Sequence, residues 1–147
     1  MCSQRENRSE LNKKGVAIVP ARILVLERGG NLARKVAAFL PGQDYGVHVA
    51  PATRSSLAIL ATFQPDLILL QIDNQADWSL LREIRAKSGV PLILCSSSRS
   101  RADAVRGLRQ GADDYVRWPA SPQELGARIL ARLRRVEWNA SDKQSRQ

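Results

Sequence analysis

The chain predicts an α/β fold, a doubly wound five-stranded parallel sheet with five helices on its two faces. Three observations predict it. Short continuous apolar runs, Ile23-Leu24-Val25-Leu26, Leu67-Ile68-Leu69-Leu70 and Leu92-Ile93-Leu94-Cys95, have the character of strands buried on both faces. Segments with apolar residues at helical spacing alternate with these runs. At 147 residues, 44% hydrophobic and 25% charged, the chain has the size and composition of one domain with a full core.

Taken in order, residues 1–20 read as a flexible basic arm, polar and without period up to Gly15. The first strand follows at Ile23 to Leu26, and Glu27-Arg28-Gly29-Gly30 turns the chain. Leu32, Val36, Phe39 and Leu40 lie at helical spacing, and Pro41-Gly42 stops that helix. Tyr45 to Val49 is a weaker strand, in which the lone His48 reads as a surface or pairing residue. Thr53 is placed to cap a second helix carrying Leu57, Leu60 and Ala61 and closed by Pro65. Leu67 to Ile72 forms the third strand, Trp78 to Lys87 a helix with Leu81 and Ile84 inward, and Pro91 to Cys95 the fourth strand. Ser100 and Asp103 suit the start of a helix running to Gln110, with Val105 and Leu108 on its inner side. Gly111 to Val116 turns into the last strand. Ser121-Pro122-Gln123-Glu124 is the sharpest local signal: a capping serine, proline at the first helical position and a glutamate placed to return to the cap. The helix it opens sets Leu125, Ile129 and Leu133 on one side and Arg128, Arg132 and Arg135 on another. The domain is expected over 21–136, with a polar tail at 137–147 and no room for a second domain.

Composition removes several classes. The apolar runs are too short to span a bilayer and the N-terminus lacks an apolar signal core, so a cytoplasmic protein without a membrane partner is expected. Cys2 and Cys95 make neither a disulfide framework nor a metal cluster, and Cys95 reads as a buried small hydrophobe. There is no glycine-rich phosphate loop and, with His48 the only histidine, no Ser/His/Asp grouping. Charge is uneven: from Arg99 to Arg135 nine arginines face Asp103, Asp113, Asp114 and Glu124, so this stretch carries +5 of the net +9. Such a surplus can serve nucleic acid, an acidic protein surface or solubility.

In a doubly wound sheet, sites lie at the carboxyl ends of the strands near the switch point. That rule selects Glu27, Arg28, Gln71, Asp73, Ser96 and the Arg117-Trp118 pair.

Four stretches carry a family resemblance: Ile23 to Leu26, Pro65 to Leu70, Gly107-Leu108-Arg109-Gln110-Gly111-Ala112-Asp113-Asp114-Tyr115, and Glu124-Leu125 with Ala127-Arg128-Ile129 and Leu133-Arg134-Arg135. In order and spacing, 22–135 resembles the CheY-like (flavodoxin-like) receiver domain of bacterial response regulators, closest to the OmpR/PhoB type that precedes a winged-helix DNA-binding domain. The resemblance implies a pocket with two acids after the first strand for Mg2+, an acceptor aspartate after the third, a hydroxyl after the fourth and a lysine before proline after the fifth. Here Glu27 stands at the first acid, Arg28 replaces the second, Gln71 replaces the acceptor, Ser96 supplies the hydroxyl and Trp118 replaces the lysine before Pro119. An amide is a poor nucleophile and brings no charge to a metal.

The expectation is a degenerate pseudo-receiver of two-component-type signalling. It is not an enzyme, uses no metal or cofactor, and works by phosphorylation-independent protein–protein interaction. Arg28 is expected to pair with Glu27 or Asp73 and so replace the metal charge. Ser96 and Tyr115 match the family's switch pair, although Tyr115 equally reads as a half-buried strand aromatic. Arg106, Asp113, Asp114, Glu124, Arg128 and Arg132 are candidates for an interface on the face of the fourth helix, fifth strand and fifth helix. They could pair with another protein or form a homodimer, or they could pair within the monomer. Two alternatives stand beside this: a nucleic-acid-binding regulator using the basic last helix and the arms, and a receiver phosphorylated at a displaced acid, Asp73.

Overall fold

The computed structural model describes residues 21–40 and 45–134, and in addition the backbone of Glu10–Leu11, of Ala17–Ile18 and of 135–145. Five parallel strands form the sheet: β1 (Ala21–Glu27), β2 (Tyr45–Pro51), β3 (Leu67–Ile72), β4 (Leu92–Ser96) and β5 (Asp114–Arg117), in the order β2-β1-β3-β4-β5. Five helices connect and cover them: α1 (Asn31–Phe39), α2 (Ala58–Phe63, entered through a 3-10 turn at Arg54–Leu57), α3 (Gln75–Lys87), α4 (Arg101–Arg109) and α5 (Pro122–Ser145). This is the expected doubly wound fold. Glu10–Leu11 pairs antiparallel with Ala17–Ile18; the rest of the predicted arm lies outside the described residues.

Alternation along the central strands divides the core into two layers. Ile23, Val25, Leu67, Leu69, Ile93, Cys95 and Val116 face one way, onto Leu32 and Val36 of α1 and Leu125, Ile129 and Leu133 of α5. Leu24, Leu26, Ile68, Leu70, Leu92 and Leu94 face the other, onto Trp78, Leu81 and Ile84 of α3. Gly126 allows α1 and α5 to meet closely, since a Cβ there would lie 1.8 Å from the Phe39 ring.

Several local expectations are corrected. Val105 and Leu108 are 46% and 49% exposed and not inward. α4 approaches the sheet through Gly107, where a Cβ would come within 2.5 Å of Leu94, so the helix turns its small residue in and its larger apolar residues out. Thr53 and Ser100 stand at N-cap positions but make no side-chain cap. Instead the Thr53 hydroxyl pairs with Ser55 at 2.7 Å, and Asp103 accepts the Ser98 hydroxyl at 2.5 Å. Ser121 does cap α5, accepting from Glu124 N at 3.1 Å, but the Glu124 carboxylate goes to Arg128. The backbone of α5 runs as far as Ser145, through a stretch, 127–145, that contains neither glycine nor proline to stop it. The side chain of Trp138 lies outside the described residues.

Candidate functional site

Leaving β1, the connections run to β2 on one side and through β3 to β4 and β5 on the other. The crevice at that reversal is bounded by the ends of β1 and β3. The β1–α1 turn needs two residues with positive φ, and Gly29 (95°) and Gly30 (83°) supply them. The turn leaves Glu27 buried, with Oε2 accepting from Leu32 N at 2.8 Å and Ala33 N at 3.2 Å. A carboxylate here meets the unpaired N–H groups and positive end of α1. Glu27 Oε1 is buried and has no hydrogen-bond partner among the described residues.

Arg28 does not pair with Glu27 or Asp73. Its guanidinium makes a bidentate pair with Asp77, Nη1 to Oδ2 at 2.8 Å and Nη2 to Oδ1 at 2.6 Å, and Nη2 also donates to Ala52 O at 3.1 Å. The Asp77 side chain is 1% exposed, against 38% for Arg28. Asp77 Oδ2 also accepts from Asp73 N at 2.7 Å and Asn74 N at 3.0 Å, and Asn74 Oδ1 accepts from Asp77 N at 3.3 Å, which closes a reciprocal cap on α3. One clamp thus ties the ends of β1, β2 and β3 to α3. α1 takes Oε2 of Glu27, whereas Asp77, in the first turn of α3, presents both carboxylate oxygens to the guanidinium fork. Burial alone would push the Asp77 carboxyl up; the Arg28 hydrogen bonds, the two loop N–H groups and the Arg28 charge outweigh it and leave the carboxyl below its ordinary value. The Arg28 pKa is raised, first by its hydrogen bonds to Asp77 and further by the charges of Asp77 and Asp73, against a smaller opposing effect of burial.

Gln71 is half-buried at the end of β3. It accepts from Arg28 N at 3.4 Å and donates to Asp73 Oδ1 at 3.5 Å, both long contacts. Asp73 itself is exposed and borders a polar cavity of about 370 Å³ with Asn74, Ser96, Ser97, Ser98 and Asp103. Ser96 is buried, and its hydroxyl oxygen accepts from Ser98 N at 3.2 Å. Tyr115 OH donates to Ser98 O at 3.4 Å, so the β4–α4 loop is bonded to both β5 and α4. Trp118, half-buried, packs against the α1/α5 core layer, with Lys35 Nζ 4.5 Å above its ring. Lys35 also donates to Ala120 O. Sequence reasoning missed Lys35, for which there is no local signal, and Asp77, which the Asn74-x-x-Asp77 capping pattern could have revealed.

All six candidate interface side chains have partners within the monomer. Asp114 accepts from Arg128 at 2.9 and 3.1 Å, and Glu124 from the same residue at 3.3 Å. Asp113 pairs with Arg85 at 2.8 Å and accepts from Leu92 N, while its carbonyl accepts from Arg132 at 2.6 Å. Arg106 reaches Gln75 at 3.4 Å and stacks 4.3 Å from the Trp78 ring.

A family model for the response regulator receiver domain matches residues 23–130. The chain belongs to the response regulator receiver family. Its relatives include the DNA-binding response regulator MtrA of Mycolicibacterium smegmatis, 37% identical over 118 residues that cover 79% of this chain and 52% of MtrA. Another is the probable transcriptional regulator ycf27 of Galdieria sulphuraria, 35% identical and covering 79% of this chain and 46% of that protein. The chain spans about half the length of these curated relatives. Among solved structures it is similar to the BeF3-activated N-terminal receiver domain of RstA from Klebsiella pneumoniae, with a TM-score of 0.68 and 30% identity over 77% of this chain and 98% of that one. It is also similar to an orphan response regulator of H. pylori, with a TM-score of 0.68 and 25% identity over 77% and 96% of the two chains.

The residues present do not fit the Mg2+ that this family's pocket implies. A hard divalent cation takes several oxygen ligands, carboxylates foremost. Here the second acid position holds Arg28, Gln71 is neutral, Asp77 is taken by the Arg28 guanidinium and Glu27 has committed Oε2 to α1, which leaves Glu27 Oε1 and the exposed carboxylate of Asp73 beside a guanidinium; among the described residues no group of three or more acidic, His or Cys side chains is gathered to hold a metal. Among the described residues no helix is long and apolar enough to cross a membrane.

Proposed function

We propose that this receiver is a pseudo-receiver of two-component-type signalling, acting in the cytoplasm by phosphorylation-independent protein–protein interaction. The observation that carries the proposal is the Arg28–Asp77 clamp beside Gln71. At the positions that in the family hold the metal and take the phosphoryl group stand Glu27; a protein cation, Arg28, paired with Asp77; and an amide, Gln71. The charge that phosphorylation would bring to the crevice has no acceptor at Gln71, and the clamp already joins the loops of the crevice. The β4–α4 loop is likewise held without a phosphoryl group, through Ser98 to Asp103 and Tyr115. Output then rests on a fixed surface read by a partner, because a switch needs a ligand that distinguishes two states.

The test is an amide chemical-shift comparison of the protein alone and with Mg2+ and beryllofluoride, a phosphoryl mimic. Residues 96–101 and Tyr115 are expected to keep their shifts. Saturable movement of those signals would refute phosphate independence.

A further inference from the structure

β2 is one edge of the sheet. From Gly46 to Ala50 its backbone bonds, among the described residues, to β1 alone, and the two short strands Glu10–Leu11 and Ala17–Ile18 pair with each other. The outer N–H and C=O groups of such a strand are a template for another strand, and edges are commonly blocked by charge, proline or a bulge. β2 has none of these along its middle. Tyr45-Gly46-Val47-His48-Val49-Ala50-Pro51 contains no lysine, arginine or carboxylate, its proline stands at the end, and it runs one-to-one beside β1 over its whole length.

The side chains repeat the pattern. Val47 and Val49 lie level with Ile23 and Val25, hence on the α1 side, where they are 40% and 49% exposed. His48, level with Leu24, is on the other side with its ring 5.3 Å from that of Phe63 of α2. The surrounding chain is equally bare of charge: between Val36 and Pro65 only Asp44 and Arg54 are charged at pH 7. The arginine surplus of 99–135 belongs to α4, β5 and α5, of which β5 is the opposite edge. Two copies of a chain with net charge +9 therefore repel least when β2 faces β2.

We propose that β2 pairs antiparallel with β2 of a second copy, joining the two sheets into one continuous sheet about a two-fold axis. The pleat restricts the register. Opposite residues must share a face, and an axis normal to the sheet preserves the faces, so only positions of equal parity can meet. Val47-His48-Val49, flanked by the small Gly46 and Ala50, reads nearly the same in both directions, and an axis at His48 makes it its own complement. Val47 of either chain then lies opposite Val49 of the other, which gathers four valines on the α1 side. The two His48 rings lie opposite each other on the α2 side, each against its own Phe63. The pairing needs no phosphoryl group and does not rest on the reading of the crevice, so either claim can fail without the other.

Sedimentation equilibrium of the full chain at neutral pH tests the pairing. A dimer of twice the 16.3 kDa chain mass is expected. Val47→Glu combined with Val49→Glu sets like charges opposite one another and should raise the dissociation constant at least about a hundredfold. Both valines are exposed, and unchanged circular dichroism would confirm folding. Val105→Glu with Leu108→Glu, on the exposed side of α4, should leave the dimer intact. Register is read by disulfide trapping in a Cys2→Ser background, where the remaining Cys95 is buried. Opposite Cα atoms of an antiparallel pair lie about 4.5–5.5 Å apart, within disulfide reach. Mild oxidation should link His48→Cys to itself, and Val47→Cys only when it is mixed with Val49→Cys. A monomer at concentrations up to about 1 mM, a dimer that survives both glutamates, or a dimer lost to the α4 changes instead would overturn the proposal. So would failure of His48→Cys to link, or equal self-linking of Val47→Cys.

Discussion

Replacing Arg28 by alanine removes the cation from the clamp, and the structure sets the size of the effect. Exposed ion pairs contribute ~0–1 kcal/mol, whereas removing one partner of a buried pair costs ~3–5 kcal/mol. Arg28–Asp77 lies between these limits, with one side chain 38% exposed and the other 1%. After the substitution Asp77 still accepts from the N–H groups of Asp73 and Asn74, so its carboxylate is not stripped of donors. Water can also enter the space left by a partly exposed guanidinium. The expected loss is about 2 kcal/mol, or roughly 6–10 °C in Tm for a domain of this size. Urea unfolding followed by circular dichroism at pH 7 measures it. The set should include Arg28→Ala, Asp77→Asn and the double variant, whose loss should fall short of the sum of the single losses by about 1 kcal/mol or more. An unchanged midpoint for Arg28→Ala, or strict additivity, would refute the clamp as the element holding the crevice together.

Two further predictions follow from the buried ionisable groups. The folded-state pKa of Asp77 is lowered from 3.8, so its stabilising contribution is fully present above that value and is lost as pH falls below it. The Arg28→Ala penalty should therefore be constant from neutral pH down to about 4 and shrink in more acidic solution; a penalty that grows on acidification would contradict this sign. The Cys95 thiol is fully buried and pushed up to about 12, chiefly by desolvation and then by the charges of Asp114 and Glu27. Iodoacetamide at pH 8 should leave Cys95 unlabelled in native protein and label it in urea, as read by peptide mapping; rapid native labelling would displace it from the core.

The strands were legible because β1, β3 and β4 are buried on both faces and their continuous apolar runs survive any change of partner. α4 was misread for the converse reason. Periodicity assigns Val105 and Leu108 to the core, but helix–sheet distance at Gly107 depends on Leu94, far away in sequence. In the crevice, the switch-point rule selected Glu27, Arg28, Gln71 and Ser96 by backbone position alone. It could not select the partner of Arg28, since that choice depends on α3 presenting Asp77. The same holds for Lys35, whose place over Trp118 comes from the packing of α1 beside the end of β5.

Phosphate independence is tested most directly by the intact mass of the purified protein after incubation with Mg2+ and acetyl phosphate, beside a phosphorylatable receiver as control. The clamp and Gln71 predict no phosphoryl adduct under conditions that modify the control. An adduct mapping to Asp73, the exposed acid beside Gln71, would restore a phosphorylation switch and contradict the account.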